Sequence, residues 1–207
     1  NEICASSGAL LSQIAAAARN ASLTGFEFAG GIPGTLGGAV FMTAGAYGGE
    51  LKDVLKEAVV MTEQGEILTL PVEKLDMGYR TSRIKKAGYL VLEARLVLEQ
   101  GDMDKIRDIT KDLTEKRVSK QPLEYPSAGS TFKRPEGYFA GKLIMDAGLR
   151  GFQIGDARVS DKHCGFVVNV GKATARDVTD VIEEVQEKVR ERFGVSLERE
   201  VLYLGQF

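Results

Sequence analysis

A short glycine-rich segment constrains the folding of this chain more than any other feature. Residues 25–49 hold nine of the 24 glycines, and residues 30–50 read GGIPGTLGGAVFMTAGAYGGE. Glycine loses the most backbone entropy on folding, so this density indicates sharp turns or a backbone that lies against a ligand. Pro33 and the interleaved apolar residues argue against a flexible linker. The segment is therefore either a loop and helix N-terminus whose N–H groups face a phosphate or planar ring, or a close-packed turn without a ligand.

Composition narrows the class of protein. A chain of 207 residues, 43% apolar and 27% charged, is typical of a soluble globular protein with one large or two small domains. The net charge of −2 gives no general attraction to nucleic acid or to an anionic membrane. Cys4 and Cys164 lie far apart and His163 is the only histidine, so we expect no metal site and predict reduced thiols in a cytoplasmic protein. No apolar run is long enough to span a membrane.

Residue periodicity predicts a mixture of helices and strands without strict alternation, which indicates an α+β fold. Helices are predicted over residues 7–20 (capped by Ser6 or Ser7), 102–119, 138–148 and 173–194 (between Thr174 and Gly194). Strands are predicted as a hairpin within 54–70, over 89–100, within 151–160 and 165–171, and over 195–205. On the strand 89–100 the predicted inward face is Leu90, Leu92, Ala94, Leu96 and Leu98. The proline-rich loop 121–137 is predicted to act as a domain hinge. The predicted domains are residues 1–101 and 102–207.

Three side chains are candidates for charge or proton chemistry. Arg80, in YRTSR, suits a developing oxyanion, or it pairs with a carboxylate at the surface. Ser130, in PSAGSTFKRP, either caps a turn or presents a hydroxyl where small residues let a ligand approach; the absence of GxSxG argues against a hydrolase nucleophile. Glu200, in LEREVLYLG, lies in water at a strand edge or in a pocket with a shifted pKa. Strand alternation does not separate Glu200 from Glu198.

Other polar residues are predicted to bind ligands or to be structural. Lys133 and Arg134 directly follow the Ser130 loop and suit a phosphate. Asn169, at the end of a predicted strand, is a candidate substrate contact. His163 is either a general base or a hydrogen-bonded structural residue, and we favour the structural interpretation.

The ordered motifs resemble those of the UDP-N-acetylenolpyruvoylglucosamine reductases, the MurB family, of its shorter type II. The motifs are the glycine segment, YR, QPLEYPSAGSTFKRP, AGKLIMDAGLRG, VSDKHCGFVVNVG, TARDV and EREVLYLG. They cover nearly the whole chain in family order. Thr43 stands where the family usually has Asn, and Cys164 where it usually has Ala.

The resemblance implies a partial FAD-binding (PCMH/VAO-like) domain in residues 1–101. It implies a small α+β substrate-binding domain in 102–207, whose last strand returns the catalytic glutamate to the site. It assigns FAD contacts to Gly31, Ile32, Pro33, Gly34, Gly37, Gly38, Thr43, Ala44, Gly45 and Tyr47. It assigns catalysis to Arg80, Ser130 and Glu200. It assigns substrate contacts to Tyr79, Lys120, Lys133, Arg134 and Asn169.

The reaction implied by the resemblance is the NADPH-driven, FAD-dependent reduction of UDP-N-acetylglucosamine enolpyruvate to UDP-N-acetylmuramate for peptidoglycan. We expect no nucleic-acid, membrane, metal or obligate protein partner. Because the sequence starts at Asn1 and carries no GGGSN-like pyrophosphate loop, we expect a piece without the family's N-terminal lobe, with weak or absent FAD binding. The alternatives are a non-catalytic nucleotide-sugar-binding fragment and another flavoenzyme of the same fold.

Overall fold

A computed structural model describes residues 1–205 of the chain. The helices are α1 (Leu11–Asn20), α2 (Leu36–Met42), α3 (Arg83–Ala87), α4 (Met103–Lys120), α5 (Ala140–Asp146) and α6 (Ala175–Phe193). The strands are β1 (Glu2–Ser6), β2 (Leu23–Thr24), β3 (Gly45–Ala46), β4 (Gly49–Glu50), β5 (Leu55–Met61), β6 (Ile67–Pro71), β7 (Leu90–Val97), β8 (Glu99–Gln100), β9 (Gln153–Ile154), β10 (Ala157–Val159) and β11 (Val167–Asn169). The predicted α+β class is confirmed.

The chain divides into two compact units, and the second begins at Val118. The sequence placed a domain boundary 16 residues earlier, between 101 and 102. The difference arises because α4 packs on the first unit: Ile106 is buried, and its Cδ1 lies 3.2 Å from where a Cβ on Gly101 would be. The assignment of one unit to FAD and the other to substrate stays a prediction.

The first unit is built on an antiparallel sheet with strand order β1-β7-β5-β6. The predicted hairpin is present as β5 and β6, and Gly65 takes the positive φ of 83° in its turn. The predicted inward face of β7 is partly wrong. Val59 pairs with Glu93 but Val60 pairs with Val91, so a bulge shifts the alternation by one residue. Val91 is consequently buried and Leu90 is 57% exposed.

The predicted helix 7–20 begins only at Leu11. Residues 2–6 instead form β1, an edge strand that the sequence did not predict. The carbonyls of Ser7 and Ala9 accept hydrogen bonds from the amides of Gly37 and Leu36, at 2.9 Å each. Ser7 and Gly8 form a turn, closed by the Ala9 amide donating to Ser6 O at 3.0 Å, and α1 begins only after it, so neither Ser6 nor Ser7 caps α1.

The second unit packs α5 and α6 on a small antiparallel sheet of order β11-β10-β9. The predicted long helix is confirmed as α6: Thr174 Oγ accepts from the Asp177 amide at 3.1 Å, and Gly194 closes the helix with φ of 67°. Its buried face is Val181, Ile182, Val185 and Val189. The unit therefore has a hydrophobic core separate from that of the first unit.

The predicted final strand over 195–205 is wrong. Within these residues the structure has one isolated antiparallel bridge, Arg199 with Phe132, flanked by Lys133 N–H to Glu198 O at 2.8 Å and Glu200 N–H to Thr131 O at 2.9 Å. The pairing stops because the partner is a loop, not a strand. Gly129 turns it with φ of 81°, and Pro135 lacks an N–H.

Candidate functional site

Two glycines of the glycine segment, Gly37 and Gly45, are packed closely against other residues of the first unit. The amides of Leu36 and Gly37, at the N-terminus of α2, bind the carbonyls of Ala9 and Ser7, so they do not face a ligand as the sequence suggested. A Cβ on Gly37 would lie 2.8 Å from Ser7 Cβ, and one on Gly45 would lie 3.0 Å from Gly49 O. The close-packed interpretation therefore accounts for Gly37 and Gly45.

Other glycines of the segment face open space. Pro33, Gly34 and Gly38 are exposed. Gly34 has φ of 140° and no atom within 4 Å of an added Cβ, while Gly38 has only Thr35 Oγ1, at 3.9 Å. This uncovered backbone is accessible to a flat ligand, so the ligand interpretation applies here.

A cavity of about 240 Å³ lies in the first unit between α1 and α4. Gly31 and Tyr47, two of the predicted cofactor contacts, line it together with Arg117. Burial lowers the pKa of Arg117 from its ordinary value. Ile32 and Ala44 instead pack on the hydrophobic core. The sequence analysis did not single out Arg117, because Arg117 is one of many charged residues in the amphipathic helix predicted over 102–119 and belongs to no recognisable motif.

Tyr79 and Arg80 form the tip of a tight turn. The amides and carbonyls of Gly78 and Thr81 bond to each other, at 3.0 and 3.1 Å. Arg80 has φ of 56°, a region that side-chain-bearing residues rarely occupy. Its guanidinium carbon lies 5.0 Å from the centre of the Tyr79 ring, and Tyr79 is 51% exposed.

Buried hydroxyls join this turn to the end of the glycine segment. Thr43, the left-handed residue that ends α2, is 2% exposed, and its Oγ1 donates to Thr81 O at 2.8 Å. Ser82 is fully buried, and its Oγ donates to Phe41 O at 2.8 Å. Two features that the sequence analysis treated separately, the glycine segment and Arg80, are therefore neighbours in the first unit.

In the second unit, Ser130 lies on an exposed loop beside a buried threonine. Thr131 is 2% exposed and fixes the loop through three hydrogen bonds. Its amide donates to Gly165 O at 2.8 Å, its hydroxyl accepts from the Val167 amide at 3.0 Å, and its carbonyl accepts from the Glu200 amide. Ser130 and Glu200 are thus held close to a common residue that the sequence analysis did not single out.

The structure distinguishes the two glutamates that alternation could not separate. Glu198 is exposed, and its carboxylate pairs with the Lys133 ammonium. Glu200 is half-buried and follows the residue that bridges to Phe132. Glu200 is therefore the better candidate for a carboxylate that acts on a ligand, although its catalytic role stays a prediction.

The predicted substrate contacts of the second unit differ in what they already bind. Lys133 pairs with Glu198. Arg134 is exposed, its Nε donates to Tyr138 O at 3.3 Å, and its guanidinium carbon lies 4.1 Å from the centre of the Phe139 ring. Asn169 Oδ1 accepts from the amides of Gly171 and Ala173, at 3.0 Å each, so it shapes a turn. Lys120 ends α4 and is exposed. Asn169 also lines a cavity of about 290 Å³ that includes Ser127, Ala128, Thr131 and Val201.

His163 has the structural role that we favoured. Its Nδ1 accepts from the Gly165 amide at 3.0 Å, and its ring meets Phe166 edge-on with centroids 5.1 Å apart. Burial lowers the pKa of His163, so the ring that accepts this bond is neutral. Cys4 and Cys164 are both free thiols, the first exposed and the second buried.

Residues 1–205 contain no group of three or more His, Cys, Asp or Glu side chains arranged to hold a metal ion. None of the helices in this range has the length and apolar character needed to cross a membrane.

Two protein-family models match the chain. Residues 1–71 match the family described as FAD binding domain. Residues 121–204 match the family described as UDP-N-acetylenolpyruvoylglucosamine reductase, C-terminal domain.

Individual proteins match over almost the whole chain. The UDP-N-acetylenolpyruvoylglucosamine reductase of Agathobacter rectalis is 60% identical over 99% of this chain and 65% of its own length. That of Clostridium botulinum strain Alaska E43 is 59% identical over all of this chain and 68% of its own length. The crystal structure of the enzyme of this name from Thermus caldophilus superposes with a TM-score of 0.84 at 35% identity, over 96% of this chain and 71% of that one. The chain spans about two thirds of the length of these relatives.

Proposed function

Because the chain belongs to the UDP-N-acetylenolpyruvoylglucosamine reductase family, we propose that it reduces UDP-N-acetylglucosamine enolpyruvate to UDP-N-acetylmuramate. FAD is the cofactor and NADPH is the reductant of this proposal. The observation that carries it is the 60% identity to a reductase of that name over 99% of the chain. The two free cysteines favour the cytoplasm as its location.

The residues of the first unit fit a flavin. The exposed backbone at Gly34 and Gly38 offers a surface without side chains, which suits a planar ring. Thr43 takes the left-handed conformation, which is strained for a β-branched residue, and its hydroxyl donates to Thr81 O. We therefore assign the open glycines to the cofactor, and Thr43 to the shape of the segment.

Arg80 is proposed to stabilise negative charge during the reaction. FAD, once bound and reduced by NADPH, would supply the hydride that adds to the double bond of the enolpyruvyl group. This addition leaves a carbanion next to a carboxylate, and the transition state needs positive charge there. The Arg80 guanidinium is permanently charged, and the turn that carries it is fixed by two backbone hydrogen bonds.

Ser130 is proposed to donate the proton that completes the reduction. Arginine is a poor acid because its guanidinium stays protonated, so the proton comes from another group. The Ser130 hydroxyl is exposed and lies next to Thr131, which fixes the loop. Glu200, whose amide binds Thr131 O, is proposed to orient the substrate or to supply charge.

Nucleotide binding is proposed for the second unit, with Lys133 and Arg134 as the phosphate contacts. Arg134 is exposed, and Lys133 pairs with the exposed Glu198. Lys120, Asn169 and, in the first unit, Tyr79 remain candidate substrate contacts.

A steady-state assay tests the proposed function. The purified protein is supplied with FAD, and NADPH oxidation is followed with and without UDP-N-acetylglucosamine enolpyruvate. We expect oxidation that depends on this substrate, with UDP-N-acetylmuramate identified by mass spectrometry. Protein that carries FAD but gives no product would refute the proposal. A nucleotide-sugar-binding fragment, the alternative, would bind UDP-N-acetylglucosamine without FAD, and the visible spectrum distinguishes it.

A further inference from the structure

The turn that carries Arg80 is attached to the rest of the first unit by the hydroxyls of Thr43 and Ser82. A third attachment comes from α3, the helix that follows the turn. Lys85, on α3, donates from Nζ to Arg80 O at 3.2 Å and reaches Met42 Sδ at 3.6 Å. Lys85 is half-buried. An ammonium in this position bonds the carbonyl of the one residue in the turn whose φ is positive.

Each of the three attachments ends on a backbone carbonyl, two in the turn and one in α2. Lys85 holds the carbonyl of Arg80, Thr43 holds the carbonyl of Thr81, and Ser82 holds the carbonyl of Phe41. Ser82 Oγ also accepts from the Lys85 amide at 3.2 Å and so caps α3. The Arg80 carbonyl is therefore bonded to α3 through Lys85, and the two residues that follow Arg80 are bonded to the C-terminal end of α2.

We propose that Lys85 is a positioning residue for the reaction: it holds Arg80 in its left-handed conformation so that the guanidinium keeps one direction. This inference rests on the proposed function, because it concerns charge stabilisation by Arg80. A non-glycine residue with positive φ persists only where its surroundings enforce it. Without the ammonium, the Arg80 carbonyl loses a charged donor, and the turn gains access to other backbone conformations.

The test compares Lys85→Met with Lys86→Met. Methionine keeps the aliphatic stem of lysine and removes the charge. Lys86 is the matched control because it stands in the same last turn of α3 and is exposed. We expect Lys85→Met to lower kcat for substrate reduction by about 10- to 100-fold, the range that misplacement of a reacting group produces, with KM changed less than about twofold. Lys85→Arg, which keeps a donor, should recover part of kcat.

Hydrogen exchange provides a readout independent of turnover. The amides of Gly78 and Thr81 close the turn, so in Lys85→Met both should exchange about tenfold faster than in the wild type and in Lys86→Met. Unchanged exchange at Thr81 would overturn the proposal, and so would faster exchange with unchanged kcat. A wild type that binds FAD but does not reduce the substrate would refute the proposed function instead, whatever exchange at Thr81 shows.

Discussion

The two units hold their candidate reacting groups in different ways. In the first unit, Arg80 lies on a tight turn that two buried hydroxyls attach to α2. The Thr43 hydroxyl donates to Thr81 O, and the Ser82 hydroxyl donates to Phe41 O. In the second, Ser130 is on a loop fixed mainly by backbone bonds of its neighbour Thr131, whose hydroxyl accepts from an amide. The hydroxyls of the first arrangement donate to backbone carbonyls, whereas the hydroxyl of the second accepts from a backbone amide.

This difference matters for the cost of losing a hydroxyl. A buried N–H that loses its acceptor has no other partner, whereas a carbonyl has two lone pairs and tolerates partial satisfaction better. Thr43 and Thr131 are each 2% exposed. Replacing Thr43 removes a hydroxyl donor and replacing Thr131 removes a hydroxyl acceptor, so the two positions give a matched comparison in one chain.

The largest effect should come from Arg80→Ala. We expect the rate of substrate reduction to fall by about 10²- to 10³-fold, the usual result of removing one group that stabilises developing charge. Arg83→Ala is the control, because Arg83 is exposed three residues later at the start of α3. Steady-state kinetics measures both variants, and equal rates for the two would contradict the role of Arg80.

Thr131→Val should destabilise the second unit by about 1–3 kcal/mol. Valine has the same shape but leaves the buried Val167 amide without its acceptor. Urea unfolding followed by circular dichroism measures the free energy of unfolding. Thr69→Val, at an exposed position of β6, serves as the control and should change it little. A Thr131→Val protein as stable as the control would show that this hydroxyl does not fix the loop.

Thr43→Val should cost less, about 0.5–1.5 kcal/mol, because the Thr81 carbonyl loses one donor but still accepts from the Gly78 amide. Threonine and valine are both β-branched, so the strain of φ at 45° is the same in the two proteins. The same unfolding measurement applies. A loss larger than that of Thr131→Val would reverse the comparison between the units.

The smallest effect should be a pH dependence at His163. Burial lowers its folded-state pKa below the unfolded value of about 6.5, so the unfolded chain binds more protons on acidification. The free energy of unfolding should therefore fall as pH decreases from about 7 through 6.5 towards the folded pKa. Thermal unfolding of the wild type and His163→Gln across this range measures it. An identical slope in both proteins would show that another group titrates.

Local signals predicted the regular elements well. The capping residue Thr174 and the closing Gly194 bracket α6 as expected, and Gly65 marks the β5–β6 turn. β1 was missed because EICAS has no strong apolar alternation and becomes a strand only by pairing with β7. The bulge in β7 is likewise a property of the pairing with β5, which the periodicity of one strand does not contain.

The sequence predicted which residues belong to the candidate site, but not their backbone conformations or their contacts. The sequence indicated Arg80, Ser130 and Glu200, yet nothing local shows that Arg80 has a positive φ or that Thr43 reaches Thr81. Thr131 and Lys85 were missed because their roles depend on contacts with residues distant in sequence or on turn geometry. The predicted final strand failed for a related reason, since strand formation there depends on a partner that is a loop.

Stopped-flow absorbance of the flavin in the wild type, Ser130→Ala and the neighbouring control Ser127→Ala tests the central claim that the second unit supplies the proton. Reduction of FAD by NADPH and its reoxidation by UDP-N-acetylglucosamine enolpyruvate are measured as separate half-reactions. We predict that Ser130→Ala leaves reduction near the wild-type rate and slows reoxidation by at least about 10²-fold, the contribution of a positioned acid. Slower reduction by NADPH with normal reoxidation would contradict the assignment of Ser130.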